Sequence, residues 1–531
     1  MTTPSVPYTT VRAPHRMVAS ADGLATQAGL TVMARGGNAV DAAIATNAAI
    51  AVTAPHLCGM GGDLFALVHV PGDEPTALDA SGRAGSGADA GRLRDEGRVE
   101  MPFRHDVRTV TIPGCVDGWV ALHQRFGRLP LDEVLAPATA LAEGGFPASP
   151  LLVASLAMLD DDAAEQLGEL AAQAVWPGAL VRRPGVARTL RVIAEGGRAA
   201  FYEGSFGEGL KALGPGYFTD ADLTRRQAEW VEPLALDVWG HRLWTLPPAS
   251  QGYLTLSAAW IAQELPVPPD PDDPRWAHLL IEAAIAAGHD RPEVLHDRAD
   301  GTALLAADRL LRRRDSISAD STSNRRGRWP AADGDTTYLC AVDDARMAVS
   351  LIQSNAAGFG SWLVEPGSGI NLHNRGLGFS LEEGHPAEYG PGRRPPHTLC
   401  PLLVTTEHGA LTATVGTMGG DGQPQILLQL LTRMLLNDQH PALAVASGRW
   451  VLRGEASGFD TWTSPGGPGV LVEGHASSEW DAGLVARGHD VARAMPFDSA
   501  FGHAHTIVVQ ADGTLAAAAD PRARIGSAAG G

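Results

Sequence analysis

Two adjacent hydroxyl residues, Thr336 and Thr337, lie where a polar stretch changes abruptly into strand-like sequence. Residues 312–335 are charged, rich in turn formers and without the periodicity of a buried element, whereas β-type runs follow them. A chain cut between Asp335 and Thr336 would place a threonine at a new N-terminus, where its α-amine can take the proton from its own hydroxyl. Threonine is also common at strand starts, so the pair alone favours a structural role and needs support from other residues.

A glycine-rich segment at 416–422, GTMGGDG, is the second candidate for chemistry. It lies between a strand pattern and an amphipathic helix pattern at 425–437. Consecutive glycines let backbone N–H groups approach a substrate oxygen closely. Two such donors form an oxyanion hole, worth on the order of 3 kcal/mol per donor in the transition state. Taken alone, the segment is more typical of an ordinary strand–helix turn.

Other patterns favour structural roles. The run 59–62, GMGG, lacks the Lys-Ser/Thr of a phosphate loop and leads into a strand, so it predicts a tight turn. The histidines form neither HExxH nor a Cys/His quartet, and His503 and His505 share a strand face without a third ligand. We therefore predict no catalytic metal and no cofactor.

The composition narrows the class of protein. The 531 residues carry 41 Lys and Arg against 60 Asp and Glu, a net charge of −19, which disfavours nucleic acid and anionic membranes as partners. The arginines at 312–314 and 325–328 are predicted to belong to a solvated linker. There is no apolar run of spanning length and no visible secretory signal, and four scattered cysteines suit a reducing compartment, so a cytoplasmic protein is expected.

The surrounding sequence predicts the elements that position these residues. Helices are expected at 21–34 and 39–51, separated by Gly36-Gly37 and with Asn38 as the cap of the second. Further helices are expected within 115–145, 151–200 and 276–287. Short strands are expected within 229–247 and after residue 336. Because strands and helices do not alternate strictly, the pattern predicts α+β layers rather than a doubly wound sheet.

Nine segments in this order resemble the γ-glutamyltransferase (γ-glutamyltranspeptidase, glutathione hydrolase) family of N-terminal-nucleophile hydrolases. They span nearly the whole chain, and together they are specific although no single one is. The segments are GGNAVDAAIATNAAIAVTAPHLCGMGGDLFALV (36–68), LDASGRA (78–84), IPGCVDGW (112–119), FGRLPLDEVLAPATALAEGGFP (126–147), LPPASQGY (246–253), DTTYLCAVD (335–343), GFGSWLVEPGSGINLHN (358–374), RRPPHTLCP (393–401) and GTMGGDGQPQ (416–425).

The resemblance implies a four-layer αββα sandwich made as one inactive precursor. Autocleavage between Asp335 and Thr336 would give a large subunit, 1–335, with a flexible polar tail at about 312–335, and a small subunit, 336–531. The implied function is an autoprocessed amidohydrolase and acyltransferase that cleaves γ-glutamyl amides such as glutathione through a threonyl acyl-enzyme. A terminal amine, whose unperturbed pKa is about 7.7–8.0, can serve as the base near neutral pH.

Several residues match positions with known roles in that family. Gly419 and Gly420 match the paired glycines of the oxyanion hole, and Ser354 stands where the family has a threonine bonded to the nucleophile. Thr337 matches the second threonine of the cleavage motif and would help to hold the cleavage loop. Arg83 matches the arginine that binds the donor's α-carboxylate, a task suited to a bidentate guanidinium.

The predicted donor pocket departs from the family at five positions. His397 and Thr398 replace a Ser-Ser pair that touches the α-carboxylate. Ala356, Arg375 and Gly378 replace the Asn, the Gln or Glu, and the Asp that hold the donor's α-ammonium.

Two nearby polar residues bear on the missing ammonium site. Asn355 is one residue away from the position of the missing asparagine and should point to the opposite face of its strand. Asp421 could supply the missing acid.

These departures leave two alternatives to γ-glutamyl cleavage open. The first is an acylase for glutaryl-like, non-amino dicarboxylic amides such as cephalosporin side chains, with Arg83, Arg375 and His397 reading the distal negative charge. In this alternative Arg375 must point inward, whereas it could also cover the surface. The second is an unprocessed, non-catalytic homologue.

Processing is tested by the intact mass and a denaturing gel of the purified protein. We expect two chains of 335 and 196 residues, divided before Thr336, because the mechanism needs that residue's free amine. The Thr336→Ala variant should remain a single chain. A wild-type protein that is active while its backbone is intact through Thr336 would contradict the mechanism.

Overall fold

Two seven-stranded antiparallel sheets organise the chain in the computed structural model, which describes residues 9–323, 335–454, 458–463 and 467–531. The strands are β1 Val11–Ala13, β2 Met17–Ser20, β3 Asp63–His69, β4 Thr76–Ala80, β5 Phe146–Pro147, β6 Leu180–Val181, β7 Glu229–Val231, β8 Leu234–Val238, β9 His241–Thr245, β10 Asp335–Val342, β11 Ala348–Ala356, β12 Val364–Glu365, β13 Ile370–Asn371, β14 Leu402–Thr406, β15 Leu411–Thr417, β16 Trp450–Arg453, β17 Gly469–Val472, β18 Val491–Arg493, β19 Ala504–Val509, β20 Leu515–Ala519 and β21 Ser527–Gly530.

The helices occupy most of the remaining chain. They are α1 Gly23–Ala34, α2 Ala39–Thr53, α3 Ala90–Asp95, α4 Cys115–Phe126, α5 Leu131–Gly144, α6 Pro150–Leu156, α7 Asp161–Gln166, α8 Gly168–Ala171, α9 Pro184–Tyr202, α10 Ser205–Leu213, α11 Asp220–Thr224, α12 Tyr253–Gln263, α13 Pro274–Gly288, α14 Arg291–Val294, α15 Gly301–Leu304, α16 Ala307–Asp315, α17 Gln423–Leu431, α18 Pro441–Ala446 and α19 Ser478–Ala486. Single turns of 3₁₀-helix include Arg375–Gly378 and Gly420–Gly422, and a π-helical turn, Thr432–Leu436, extends α17.

The order of strands separates the candidate residues onto different sheets. Sheet I runs β21-β2-β10-β11-β3-β4-β7 and contains Thr336 near its centre, on β10. Sheet II runs β1-β20-β19-β15-β14-β9-β8, and its strand β15 leads into Gly419 and Gly420. The site predicted from the sequence therefore needs both sheets to face each other.

Three buried clusters show how the layers pack, and together they confirm the predicted α+β class. Helices α1, α2, α4, α5 and α9 cover the outer face of sheet I, and α12, α13 and α17–α19 cover that of sheet II. The third cluster lies between the sheets and includes Phe65, Trp244, Tyr338, Ile352, Leu403 and Ile507. All four cysteines are buried and unbridged.

The two predicted N-terminal helices are confirmed. The side chain of Asn38 accepts from the N–H groups of Val40 and Asp41, and Asp41 bonds back to the N–H of Asn38, which forms a capping box at the start of α2. Every residue of α2 is buried, as its almost continuous run of small apolar side chains requires. The predicted helices at 276–287 and 425–437 correspond to α13 and to α17 with its π-helical extension.

The polar stretch before Thr336 begins later than the sequence predicts. Helix α16 continues to Asp315, and Arg313 is buried because its guanidinium bonds the carbonyl of Ala287 at 2.8 Å and the carboxylate of Asp290 at 2.6 Å. Residues 324–334, which include the arginines at 325–328, lie outside the described residues.

The described start of the polar stretch is attached to the helices over sheet II. The buried carboxylate of Glu282 accepts hydrogen bonds from the hydroxyls of Thr322, at 2.6 Å, and Ser323, at 2.7 Å. Nε2 of His278 donates to the carbonyl of Ser318 at 2.9 Å. These contacts attach Ser318, Thr322 and Ser323 to α13, although the sequence analysis placed them in the flexible tail. Among the helices of the described ranges, none is both long and apolar enough to cross a membrane.

The two sheets approach each other closely at Gly416 on β15. A Cβ added there would lie 2.1 Å from Cε2 of Tyr338, two residues after Thr336. The hydroxyl of Tyr338 is bonded to that of Ser350 at 2.9 Å, so the ring cannot turn away without breaking this bond. The absence of a side chain at Gly416 therefore fixes how near the glycine loop lies to Thr336.

We expect Gly416→Ala to lower the free energy of unfolding by about 1–3 kcal/mol, because overpacking forces the sheets apart. The same shift should slow the appearance of two chains on a denaturing gel. Thermal unfolding measures the first effect. Gly168→Ala is the control, since a Cβ at that position has no heavy atom within 4 Å. Equal behaviour of the two variants would contradict the role of the close contact.

Candidate active site

Thr336 lies at an irregularity in the pairing of β10 with β11. Asp335 pairs with Ala356 and Thr337 pairs with Gln353, so two residues of β11, Ser354 and Asn355, face the single residue Thr336. Such a bulge re-aims side chains and is frequent beside active sites. Ala356, which completes it, has a φ of 73°, a conformation that an alanine adopts only under constraint from its surroundings.

The bulge places the hydroxyl of Ser354 against that of Thr336. The two oxygens are 3.0 Å apart. Ser354 Oγ also accepts from the N–H of Ala356 at 2.8 Å and from Nη2 of Arg375 at 3.1 Å. With two donors on its lone pairs, Ser354 can direct its own hydrogen to Thr336 Oγ1, which stabilises negative charge on that oxygen. This is the contact that the predicted role of Ser354 requires.

Arg375 points into the site and does not cover the surface. Its side chain is 1% exposed, and besides Ser354 it donates from Nη1 to Thr398 Oγ1 at 3.2 Å. Burial lowers the pKa of Arg375 to about 10, against the opposing charges of Asp63 and Asp421, so it remains a cation at neutral pH. Each terminal nitrogen carries two N–H groups, which leaves a second one on each for an anion in the adjoining cavity.

Asp63 is a site residue that the sequence reasoning missed. It is fully buried at the start of β3, where its Oδ2 lies 2.9 Å from Nε2 of His397 and 3.7 Å from Nε of Arg375. Its Oδ1 accepts from the N–H of Gly82 at 3.0 Å. Burial would raise the pKa of Asp63, but His373 and His397 hold it well below its usual range. The signal in the sequence was an acid opening the otherwise apolar strand DLFALVH.

His397 is engaged on both ring nitrogens by the protein itself. Burial, reinforced by the charge of Arg375, lowers the pKa of His397 to about 3, so the ring is neutral. Because Nδ1 accepts from the N–H of Leu399 at 3.3 Å, Nε2 carries the hydrogen and donates it to Asp63. Both ring nitrogens of His397 therefore have protein partners, and His397 is not among the described residues that line the cavity reported below.

The glycine loop leaves the two backbone N–H groups of the predicted oxyanion hole without acceptors in the described protein. Gly419 and Gly420 have φ values of 134° and 54°, which favour glycine. Within the described part of the chain, neither of their backbone N–H groups donates a hydrogen bond. Gln251 donates from Nε2 to the carbonyl of Gly420 at 3.1 Å and to that of Thr398 at 3.0 Å, which ties the loop to the segment that carries Thr398, a partner of Arg375.

Asp421 is buried next to this loop and is already paired. Its Oδ1 lies 3.3 Å from Nη2 of Arg291, and its Oδ2 accepts from the N–H of Thr461 at 3.3 Å. Burial raises the pKa of Asp421, although Arg291 opposes the shift. Arg291, at the start of α14, was not among the predicted site residues because a short helix end carries no sequence signal for a pocket.

A cavity of about 750 Å³ opens beside these groups. Arg375, Thr398, Asp421 and Arg291 line it together with apolar side chains such as Phe379. The structure therefore brings three predicted substrate-binding residues to one cavity.

Arg83 and the remaining predicted residues lie elsewhere. Arg83 is not among the described residues that line the cavity, and its Nη2 is 2.6 Å from Glu229. Thr337 is buried, and its Oγ1 has no hydrogen-bond partner among the described residues. Only the backbone of Asp335 is described. Nδ2 of Asn355 bonds the carbonyl of Pro55, away from Thr336, as its place on the opposite strand face predicted.

One buried cluster, His278, Glu282 and His489, has atoms spaced closely enough for a metal ion. It lies in the helices over sheet II, where Nδ1 of His278 and Nε2 of His489 are hydrogen-bonded at 2.8 Å and Glu282 holds Thr322 and Ser323. Its groups therefore already have partners in the protein.

Comparison with known proteins identifies the family. The profile described as Gamma-glutamyltranspeptidase matches residues 25–530. The chain belongs to this γ-glutamyltranspeptidase family. Its relatives include the oxamate amidohydrolase proenzyme of Klebsiella pneumoniae, 35% identical over 97% of this chain and 98% of that protein, and the glutathione hydrolase-like YwrD proenzyme of Bacillus subtilis, 34% identical over 96% and 97%.

A solved structure supports the same placement. The cephalosporin acylase from Bacillus halodurans is 33% identical, covers 100% of this chain and 99% of its own, and superimposes with a TM-score of 0.89. This γ-glutamyltranspeptidase-family member is therefore similar to proenzymes and acylases that act, by their names, on different amides. The family is an enzyme family of autoprocessed hydrolases, and membership in it does not fix the acyl group.

Ser354→Ala should lower kcat by about 10- to 100-fold, because a hydrogen bond to a developing anion is lost. It should also slow autoprocessing if the same oxygen attacks the preceding peptide bond. Ser354→Thr is the matched variant, since it keeps the hydroxyl and introduces the residue implied at this position by the family resemblance. Stopped time courses on a denaturing gel measure autoprocessing, and steady-state kinetics measure kcat. A Ser354→Ala variant with wild-type kcat would contradict the predicted role of Ser354.

Proposed function

We propose that this chain is an autoprocessed N-terminal-threonine amidohydrolase for amides of short dicarboxylic acids that lack an α-ammonium group. The observation that carries this proposal is the place of Arg375. Its guanidinium is two hydrogen bonds from Thr336 Oγ1, through Ser354, and faces the cavity. A carboxylate a few bonds away from the scissile carbonyl would meet that guanidinium in bidentate fashion.

The reaction follows from the groups around Thr336. After cleavage, the α-amine of Thr336 takes the hydroxyl proton while Oγ1 attacks the amide carbon, and the N–H groups of Gly419 and Gly420 receive the oxyanion. The ammonium then returns its proton to the leaving amine as the C–N bond breaks. Water, activated by the same amine, adds to the acyl-enzyme, releases the carboxylic acid and regenerates the hydroxyl.

A γ-glutamyl donor would fit this pocket less well, because the two acids whose charges act on Arg375 are already engaged. Asp421 is paired with Arg291, and Asp63 is bonded to His397 and Gly82. At the position where the family has a Gln or Glu, the buried cation Arg375 would repel the ammonium. The γ-glutamyl activity implied by the family resemblance is therefore the less favoured proposal.

The length of the acyl group separates two versions of the proposal. The nearness of Arg375 to Thr336 favours a very short acyl group, and the oxamate amidohydrolase relative supports that reading. The cavity of about 750 Å³ is far larger than an ammonia leaving group needs, which favours a bulky amine, and the cephalosporin acylase neighbour supports a glutaryl-type acyl group. We place the short acyl group first.

Two structural proposals accompany this function. The layers seen around sheets I and II are inferred to be the four-layer αββα sandwich of N-terminal-nucleophile hydrolases, with the division into 1–335 and 336–531 as the mature subunits. The name of the Escherichia coli relative, glutathione hydrolase proenzyme, supports the division.

The substrate class is tested by kcat/KM on oxamate and on the p-nitroanilides of succinate, glutarate and γ-glutamate. We expect the ammonium-free acyl groups to be cleaved at least about tenfold more efficiently than γ-glutamate, because one buried repulsion is removed. Arg375→Gln should reduce kcat/KM for the ammonium-free substrates by about 100-fold. A clear preference of the wild type for γ-glutamyl-p-nitroanilide would overturn the proposal. A similar loss in Arg83→Gln would identify Arg83 as a second group that reads the carboxylate.

A further inference from the structure

Two buried, opposite charges lie side by side beneath the cavity, and one of them contacts Ser354. Arg375 and Asp63 have side chains that are 1% and 0% exposed, with Nε and Oδ2 3.7 Å apart. A guanidinium without a counter-ion cannot remain in such a place, because the desolvation cost is several kcal/mol. Some acid must therefore hold Arg375 where it is.

Asp63 is the acid that is fixed in position. Its backbone is paired with Ser354 across β3 and β11, and its carboxylate is bonded by Nε2 of His397 and the N–H of Gly82. Nδ1 of His373 lies 3.4 Å from Oδ2 of Asp63, the oxygen that accepts from His397. Asp421, the other acid near Arg375, is engaged by Arg291.

We propose that Asp63 is a positioning residue that determines substrate specificity: it anchors the Nε side of Arg375, so that the two terminal nitrogens face Ser354, Thr398 and the substrate's carboxylate. This inference rests on the proposed function and names the residue behind it. His397 belongs to the same device, because its neutral ring orients Asp63 from the opposite side. In this way Asp63, which pairs with Ser354 of β11, influences which acyl group the cavity accepts.

In the absence of Asp63, Asp421 offers Arg375 an alternative counter-ion. The electrostatic influence of Asp421 already reaches Arg375, and Asp421 lines the same cavity. Without Asp63 the guanidinium would turn toward Asp421 and leave Ser354 and Thr398. The site would then lose its preference for an anionic acyl group, while Thr336, Gly419 and Gly420 would keep their places.

The test is the ratio of kcat/KM for glutaryl-p-nitroanilide to that for pentanoyl-p-nitroanilide, which has no carboxylate. In Asp63→Asn we expect this ratio to fall by about 10- to 100-fold, mainly through KM of the glutaryl substrate. Because Arg375 also bonds Ser354, any fall in kcat should be shared by the glutaryl and pentanoyl substrates, and the ratio cancels it. Asp117→Asn is the matched control, since Asp117 is a buried carboxylate 3.2 Å from a guanidinium, that of Arg198, in another part of the fold.

A double-mutant cycle separates positioning from a general structural effect. If Asp63 acts through Arg375, then adding Asp63→Asn to Arg375→Met should leave the ratio where Arg375→Met alone sets it. An unchanged or higher ratio in Asp63→Asn overturns the inference, and so does full additivity in the cycle. If Asp63→Asn fails to give two chains of normal thermal stability, His397→Asn, which removes the orienting ring and keeps the carboxylate, must show the same fall to a smaller extent; an unchanged ratio there also overturns it.

Failure of the proposed function has a different outcome in the same experiment. A wild type that distinguishes neither glutaryl from pentanoyl nor succinyl from butanoyl p-nitroanilide would refute the carboxylate-reading pocket itself. A wild type that distinguishes them, with a ratio insensitive to Asp63, would refute only the role of Asp63.

Discussion

The close packing of sheet I on sheet II at Gly416 and Tyr338 is the constraint on which the site depends. Thr336 lies on sheet I, whereas the loop of Gly419 and Gly420 follows a strand of sheet II. Neither sheet carries a complete site. A protein interior is packed too densely to be compressed, so the missing side chain at Gly416 lets the strand that leads to Gly419 and Gly420 lie close to the strand that carries Thr336.

A row of buried ion-paired and hydrogen-bonded side chains adjoins Thr336 beside this contact. The groups near Thr336 form a chain from His397 to Asp63, Arg375, Ser354 and Thr336 in which each member has a direct neighbour. Its charged members are buried, where an unpaired charge is costly and a paired one is held rigidly. Such a pocket is organised before substrate arrives, which is the condition for electrostatic stabilisation of a transition state.

Local sequence signals predicted the parts of the fold that local physics determines. Asn38 and the two glycines before it were sufficient to place the boundary between α1 and α2, and the small apolar residues of α2 predicted its burial. The predicted contact between Ser354 and the nucleophile has the expected partner in the structure. By contrast, the end of α16 was missed because the contacts of Arg313 with Ala287 and Asp290 join elements distant from the polar stretch.

The composition of the donor pocket was less predictable for the same reason. Asp63 and Arg291 reach the cavity region from β3 and α14, far along the chain from Arg375, and no spacing rule connects them. Arg83 lies within a matching segment, yet its guanidinium is turned to Glu229 on β7. The orientation of a side chain depends on which neighbour satisfies it, and that neighbour is chosen by the tertiary fold.

The hold of Glu282 on Thr322 and Ser323 limits what a cut before Thr336 would release. Ser323 precedes the cleavage point by twelve residues, which span at most about 40 Å when fully extended. The new carboxyl end at residue 335 would thus stay within that distance of the point where Ser323 is bonded to Glu282 on α13. A cut at this bond alone would therefore leave the end of the large subunit attached to α13.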